Sequence, residues 1–163
     1  MNIVNMLVLK KSRKPLKAGD VFVFKMPATP FFFGRVIRTD ALIGPIRDNT
    51  LIYLYRASSP DKTKVPELSK NELLVPPIMT NRQAWLKGYF ENVANRPLKP
   101  EELLESHCFF DDIWGRFYDD QNNELPGRIE PCGEYGLHSY RTIDDAVSKA
   151  LGVKGSTERV HRP

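Results

Sequence analysis

The chain has 163 residues, 41% hydrophobic and 27% charged, with 13 prolines, 10 glycines and two cysteines. That profile fits one soluble globular domain with its own core and excludes a disordered chain or a disulfide-dense secreted scaffold. No apolar stretch approaches about 20 residues, so no membrane-spanning helix is predicted.

The start is apolar over residues 3–9 and then basic at Lys10, Lys11, Arg13 and Lys14. A signal peptide has the opposite order, so a cytoplasmic protein is expected. Residues 1–16 read as a basic, peripheral lead-in. The net charge is +4, but the acids gather between residues 101 and 134, where only Arg116 and Arg128 oppose them.

Gly19-Asp20 is a turn signal before the β-rich run Val21-Phe22-Val23-Phe24. Residues 27–30 break it, and residues 31–37 resume a strand, so the pair reads as a hairpin. Gly34 inside the second strand predicts a bulge or a close backbone approach. Gly44, Pro45, Asp48 and Asn49 mark residues 40–49 as a loop. Residues 50–55 form the strand with the highest β-propensity.

Pro66 and Glu67 predict a short helix over residues 66–73. Ile78-Met79 after Pro76-Pro77 predicts an edge strand. Residues 84–90 read as a strand pair or a tight turn around Gly88. Pro100 followed by Glu101 and Glu102 starts a short helix. The polar cluster 119–124 is a turn between apolar flanks and predicts a hairpin. Ile143, Ala146, Val147, Ala150 and Leu151 share one helical face before Gly152, a natural stop.

The expected fold class is therefore α+β. It is a β-rich single domain, with a small twisted antiparallel sheet or partial barrel and a few short helices, one near the C-terminus. The globular unit is expected over residues 17–152, with a polar tail over residues 153–163.

Motifs for chemistry are absent: there is no phosphate loop ending in Gly-Lys-Ser/Thr, no G-x-G-x-x-G, no H-E-x-x-H and no G-x-S-x-G. No catalytic residue, cofactor or metal is expected, and the chain is not read as an enzyme. Cys132 with His138 is a weak thiol–base pair, and Cys108 reads as a small buried apolar residue. His107, Cys108, Cys132 and His138 make a zinc set only if two separate loops converge. Asp119-x-Gln121-x-Asn123 lacks the glycine and bidentate glutamate of a calcium loop, and turn chemistry explains it more simply.

Two functions of different classes fit. One is protein binding through the acidic segment, with Asp111, Asp112, Asp119, Asp120 and Glu124 steering a basic partner and Trp114 and Tyr118 as aromatic anchors. Turn carboxylates there are expected to carry little stability. The other is a small β-barrel that binds nucleic acid through the basic lead-in and stacks bases on Phe31 to Phe33 or on Tyr53 and Tyr55.

Gly19-Asp20-Val21-Phe22, Phe33-Gly34-Arg35-Val36 and the run Trp85 to Phe90 occur in that order. Together with the segment from Arg96-Pro97-Leu98 through Phe117-Tyr118-Asp119 and the later Tyr135-Gly136-Leu137 they resemble the immunity protein 26 family over residues 17–151. That family is found beside polymorphic and contact-dependent bacterial toxins. The resemblance implies a cytoplasmic antidote that binds a cognate toxin domain, often a nuclease, with no small-molecule substrate, no membrane and no nucleic acid as partner. The matching residues read as scaffold: Gly19 and Gly34 at turn and bulge, Phe22, Val36, Trp85 and Tyr89 in a core.

Overall fold

In the computed structural model, which describes residues 4–154, the aromatic runs after Gly19 build the central sheet. Strand β1 is Asp20–Lys25, β2 is Phe31–Ile43 and β3 is Ile46–Ser59. With β4, Ile78–Thr80, and β5, Glu91–Asn95, they form a five-stranded sheet in the order β4-β3-β2-β1-β5. All of its pairings are antiparallel.

A second sheet holds β6, Cys108–Asp111; β7, Arg116–Tyr118; β8, Glu124–Leu125; and β9, Cys132–Glu134, in the order β8-β7-β6-β9. Its β6–β9 pair is parallel, and the two sheets do not close into a barrel. Helix α1, Gln83–Leu86, is one turn long, and α2, Tyr140–Leu151, lies near the C-terminus. The fold is α+β and β-rich, as expected.

Both faces of the large sheet are buried. Phe22, Phe24, Val36, Ile52 and Leu54 face Trp85, Phe90, Ile143 and Val147. Alternate residues reach the other face, where Tyr53, Tyr55, Leu51 and Met79 pack with Phe109 of the second sheet. This explains the continuous apolar runs: a strand covered on both sides has no polar face to show. Phe22 anchors the first layer, with its ring centroid 4.4 Å from Phe90 and 5.0 Å from Trp85.

Gly34 is required by that layer. It lies opposite Phe22 in the β1–β2 register, and a Cβ there would run into the Phe22 ring and come within 2.9 Å of Leu54 Cδ2. Gly34→Ala is expected to cost about 2 kcal/mol through overpacking. A thermal unfolding curve would show it, and an unchanged Tm would contradict the close approach.

Several local readings are corrected. Residues 40–49 continue β2 into β3 through a tight turn at Gly44-Pro45, closed by the Ile43–Ile46 pair. Asn49 donates to the carbonyls of Ala41 and Ile46 at 3.0 and 2.9 Å, which stabilises the irregular register there. Residues 66–73 form no helix. Tertiary pairing wins instead: Arg56 N donates to Glu72 O, and Leu74 N donates to Leu54 O at 2.8 Å. Residues 83–86 are helical rather than a strand, while the turn at Gly88 exists, with φ of +85°. The helix expected after Pro100 is a single 3-10 turn, Pro100–Glu102. Helix α2 is capped by Ser139, which accepts from Thr142 N, and ends at left-handed Gly152. Ala150, expected on its buried face, is exposed.

The lead-in is packed, not peripheral, where it is described. Met6 is buried in the core cluster. Leu7 N donates to Lys25 O at 2.9 Å, Leu9 N to Gly88 O at 2.7 Å and Ser12 N to Trp85 O at 3.0 Å. The tail from residue 155 onward lies outside the described residues.

Candidate functional site

The acidic segment occupies the second sheet, and the structure splits its candidates into two groups. At the β6–β7 turn, Asp111 Oδ1 accepts from Ile113 N at 3.0 Å, and Asp111 O accepts from Gly115 N at 2.9 Å. Gly115 has φ of +65°, a left-handed turn position that glycine meets without strain. The turn pushes Ile113 and Trp114 outward, 82% and 72% exposed. Asp112 is exposed beside them. The tight turn thus holds two large apolar side chains in water, side by side.

The sequence reading singled out Trp114 but missed Ile113. Its signal was its place between Asp112 and Trp114 in a turn ending at a glycine. Arg116 lies opposite Asp111 and 3.7 Å from Glu124, an exposed pair that contributes little to stability. Asp111, Asp112, Trp114 and Glu124 thus remain available on this part of the sheet.

The other candidates serve the fold. Asp119 closes the β7–β8 turn: its Oδ1 accepts from the backbone N–H groups of Gln121 and Asn123, each at 2.9 Å. Its Oδ2 accepts from Asn123 Nδ2 at 3.1 Å. This is the turn chemistry expected there. Tyr118 is half-buried, its ring centroid 4.7 Å from that of Tyr135.

Asp120 points inward and is 6% exposed. Its Oδ2 accepts from Arg38 Nη1 at 2.8 Å, and its Oδ1 is 3.1 Å from His107 Nδ1. His107 Nε2 in turn lies 2.7 Å from Tyr53 Oη, which accepts from Leu104 N at 3.0 Å. Burial alone would raise the Asp120 carboxyl. The hydrogen bond and charge of His107, the backbone and the Arg38 guanidinium outweigh it and hold the carboxyl at about 2. The expectation that turn carboxylates carry little stability is therefore corrected for Asp120, which ties the second sheet to β2 and β3. The chain of groups has a catalytic look, but burial pushes the Tyr53 hydroxyl up to about 12.

The zinc set does not assemble. Cys108 and Cys132 are neighbours, but His107 is turned to Tyr53 and Asp120, and His138 Nδ1 is 3.2 Å from Thr142 Oγ1. Among the described residues no group of three or more His, Cys, Asp and Glu is placed to hold a metal. Cys132 and His138 line one cleft, and burial and Cys108 push the Cys132 thiol up to about 12.

Lys10, Lys11, Ser12, Arg13 and Lys14 line a cleft of about 520 Å³ with Glu91 and Asn92. The aromatics proposed to stack bases are not available to it. Phe32, Phe33, Tyr53 and Tyr55 are buried, and Phe31 is partly covered beneath Lys25. Among the described residues no helix is long and apolar enough to cross a membrane.

The model of the family described as immunity protein 26 matches residues 17–119, from the approach to β1 through β7. No curated protein and no solved structure matches the chain.

Proposed function

The chain belongs to the immunity protein 26 family, and on that premise we propose that it neutralises a cognate bacterial toxin by binding it and occluding its active site. In this reading it acts in the cytoplasm, without catalysis, against a toxin domain with a cationic cleft such as a nuclease. The observation that carries the reading is the exposed Ile113-Trp114 pair beside Asp111 and Asp112. An aromatic anchor supplies a slow off-rate, and carboxylates around it raise the on-rate against a basic surface. The rigid strands behind the turn present it without reorganising the scaffold. Glu124 adds charge to the rim, and Asp119, Asp120 and Tyr118 hold the sheet in shape.

The test uses a cognate toxin domain, the one whose toxicity this chain suppresses. Trp114→Ala combined with Ile113→Ser is expected to leave Tm within about 1 °C, because neither side chain is packed. Toxin affinity is expected to fall at least roughly 100-fold, with most of the change in dissociation. Asp112→Ala is expected chiefly to slow association and weaken its salt dependence. Full protection by the double variant would place the interface elsewhere. The basic cleft at residues 10–14 supports the alternative, nucleic-acid binding, whose mark is affinity that falls steeply with salt.

A further inference from the structure

We infer that Cys108 and Cys132 form a redox-modification site: the folded chain accepts an intramolecular disulfide between them, with a small-molecule disulfide as oxidant. Cys108 opens β6 and Cys132 opens β9, and the parallel register sets them directly opposite each other. Their sulfurs are 3.1 Å apart, although the residues are 24 positions apart in the chain. A disulfide bond is about 2.05 Å long, so the two sulfurs need close by only about 1 Å. Cys108 Sγ also accepts from Ile129 N at 3.4 Å, which fixes it beside the segment leading into β9.

Access is one-sided. Cys108 is fully buried, whereas Cys132 keeps 7% exposure and lines a cleft of about 340 Å³ with Pro77, Phe110, Glu134 and His138. An oxidant therefore meets Cys132 first. The Cys132 thiolate attacks one sulfur of the small disulfide, R–S–S–R; a mixed disulfide forms, and one RS⁻ leaves and takes up a proton. The Cys108 thiol then gives up its proton to solvent and attacks the Cys132 sulfur. The Cys108–Cys132 bond forms, and the second RS⁻ departs and is protonated. Two protein thiols lose two electrons in all, and the small disulfide becomes two thiols. Burial and the adjacent Cys108 disfavour the Cys132 thiolate, so exchange is slow near neutrality and speeds up as pH rises.

The bond would close the loop from residue 108 to residue 132, which contains both turns of the second sheet and the Ile113-Trp114 tip. Oxidation would thus clamp the second sheet across its β6–β9 pair. The inference does not rest on toxin binding, and its readouts involve no toxin.

The experiment incubates the native full-length chain with oxidised glutathione at about pH 8.5, where thiolate is more abundant. Intact mass is then read after alkylation of the remaining thiols. The expected result is loss of both alkylatable thiols with no glutathione retained, and an unfolding midpoint raised by roughly 5–10 °C. Cys108→Ser should stop at a glutathione adduct on Cys132, because the resolving thiol is gone. Any of three outcomes for the unmutated chain would overturn the inference. These are retention of both thiols, a stable glutathione adduct or intermolecular dimer, and a disulfide that forms only in denaturant or fails to raise the midpoint.

Discussion

Reversing Asp120 to lysine is expected to cost roughly 3–5 kcal/mol and to lower Tm by roughly 10 °C. The substitution removes the acceptor that Arg38 and His107 share and puts a second cation against the Arg38 guanidinium in a buried position. Asp120→Asn keeps the shape and removes only the charge, so its cost should be smaller and should depend on pH. The Asp120 carboxyl is held at about 2 in the folded chain. Its ordinary value is about 3.9. The group titrates lower when folded, so its stabilisation is complete above about pH 4 and disappears as pH falls towards 2. The linked free energy is about 2 kcal/mol. The unmutated chain should therefore lose this increment between pH 4 and pH 2, and the Asn variant should lack that part of the slope. Thermal unfolding of both proteins across this range checks it. Parallel curves would mean that the Arg38–Asp120–His107 contacts contribute nothing.

This network also shows what the sequence leaves unread. The β7–β8 turn was legible, because Asp119, Asn122 and Asn123 are turn formers between apolar flanks. The same rule treated Asp120 as a surface turn residue. Only the approach of Arg38, 82 positions away, and of His107 turns it into a buried anchor. Phe22, Gly34 and Trp85 were legible as scaffold, since their residue types demand a close-packed layer. Residues 83–86 were not, because a one-turn helix has too little periodicity to read. The helix expected over residues 66–73 failed because backbone pairing with β3 outweighed a local start signal. At the candidate docking tip, composition pointed to the acids and Trp114, but only the three-dimensional turn separates the exposed Asp112 from the buried Asp120.

Deleting residues 1–9 is expected to abolish cooperative folding, whereas sequence reasoning places this segment outside the core. Met6 is 1% exposed and belongs to the cluster around Phe22 and Trp85. Losing a buried methionine side chain costs about 2–5 kcal/mol. The Asp144 carboxylate, buried on α2, also loses the backbone N–H groups of Asn5 and Met6, which it accepts at 2.8–3.0 Å. Donors to a buried charge are worth about 1.5–3 kcal/mol each. The sum approaches the whole stability of an ordinary domain, about 5–15 kcal/mol. The deletion should give a broad, non-cooperative thermal transition, and Met6→Ala alone should lower Tm by roughly 10 °C. Deletion is therefore a poor test of nucleic-acid binding, because it removes the fold with the charge. Changing Lys10, Lys11, Arg13 and Lys14 together to glutamine separates the two, since these side chains are exposed and their loss should cost under about 1 kcal/mol. A deletion variant with a sharp transition at the parent's Tm would show that the packed lead-in contributes nothing to stability. The basic cleft would then be the only feature of residues 4–14 left to explain.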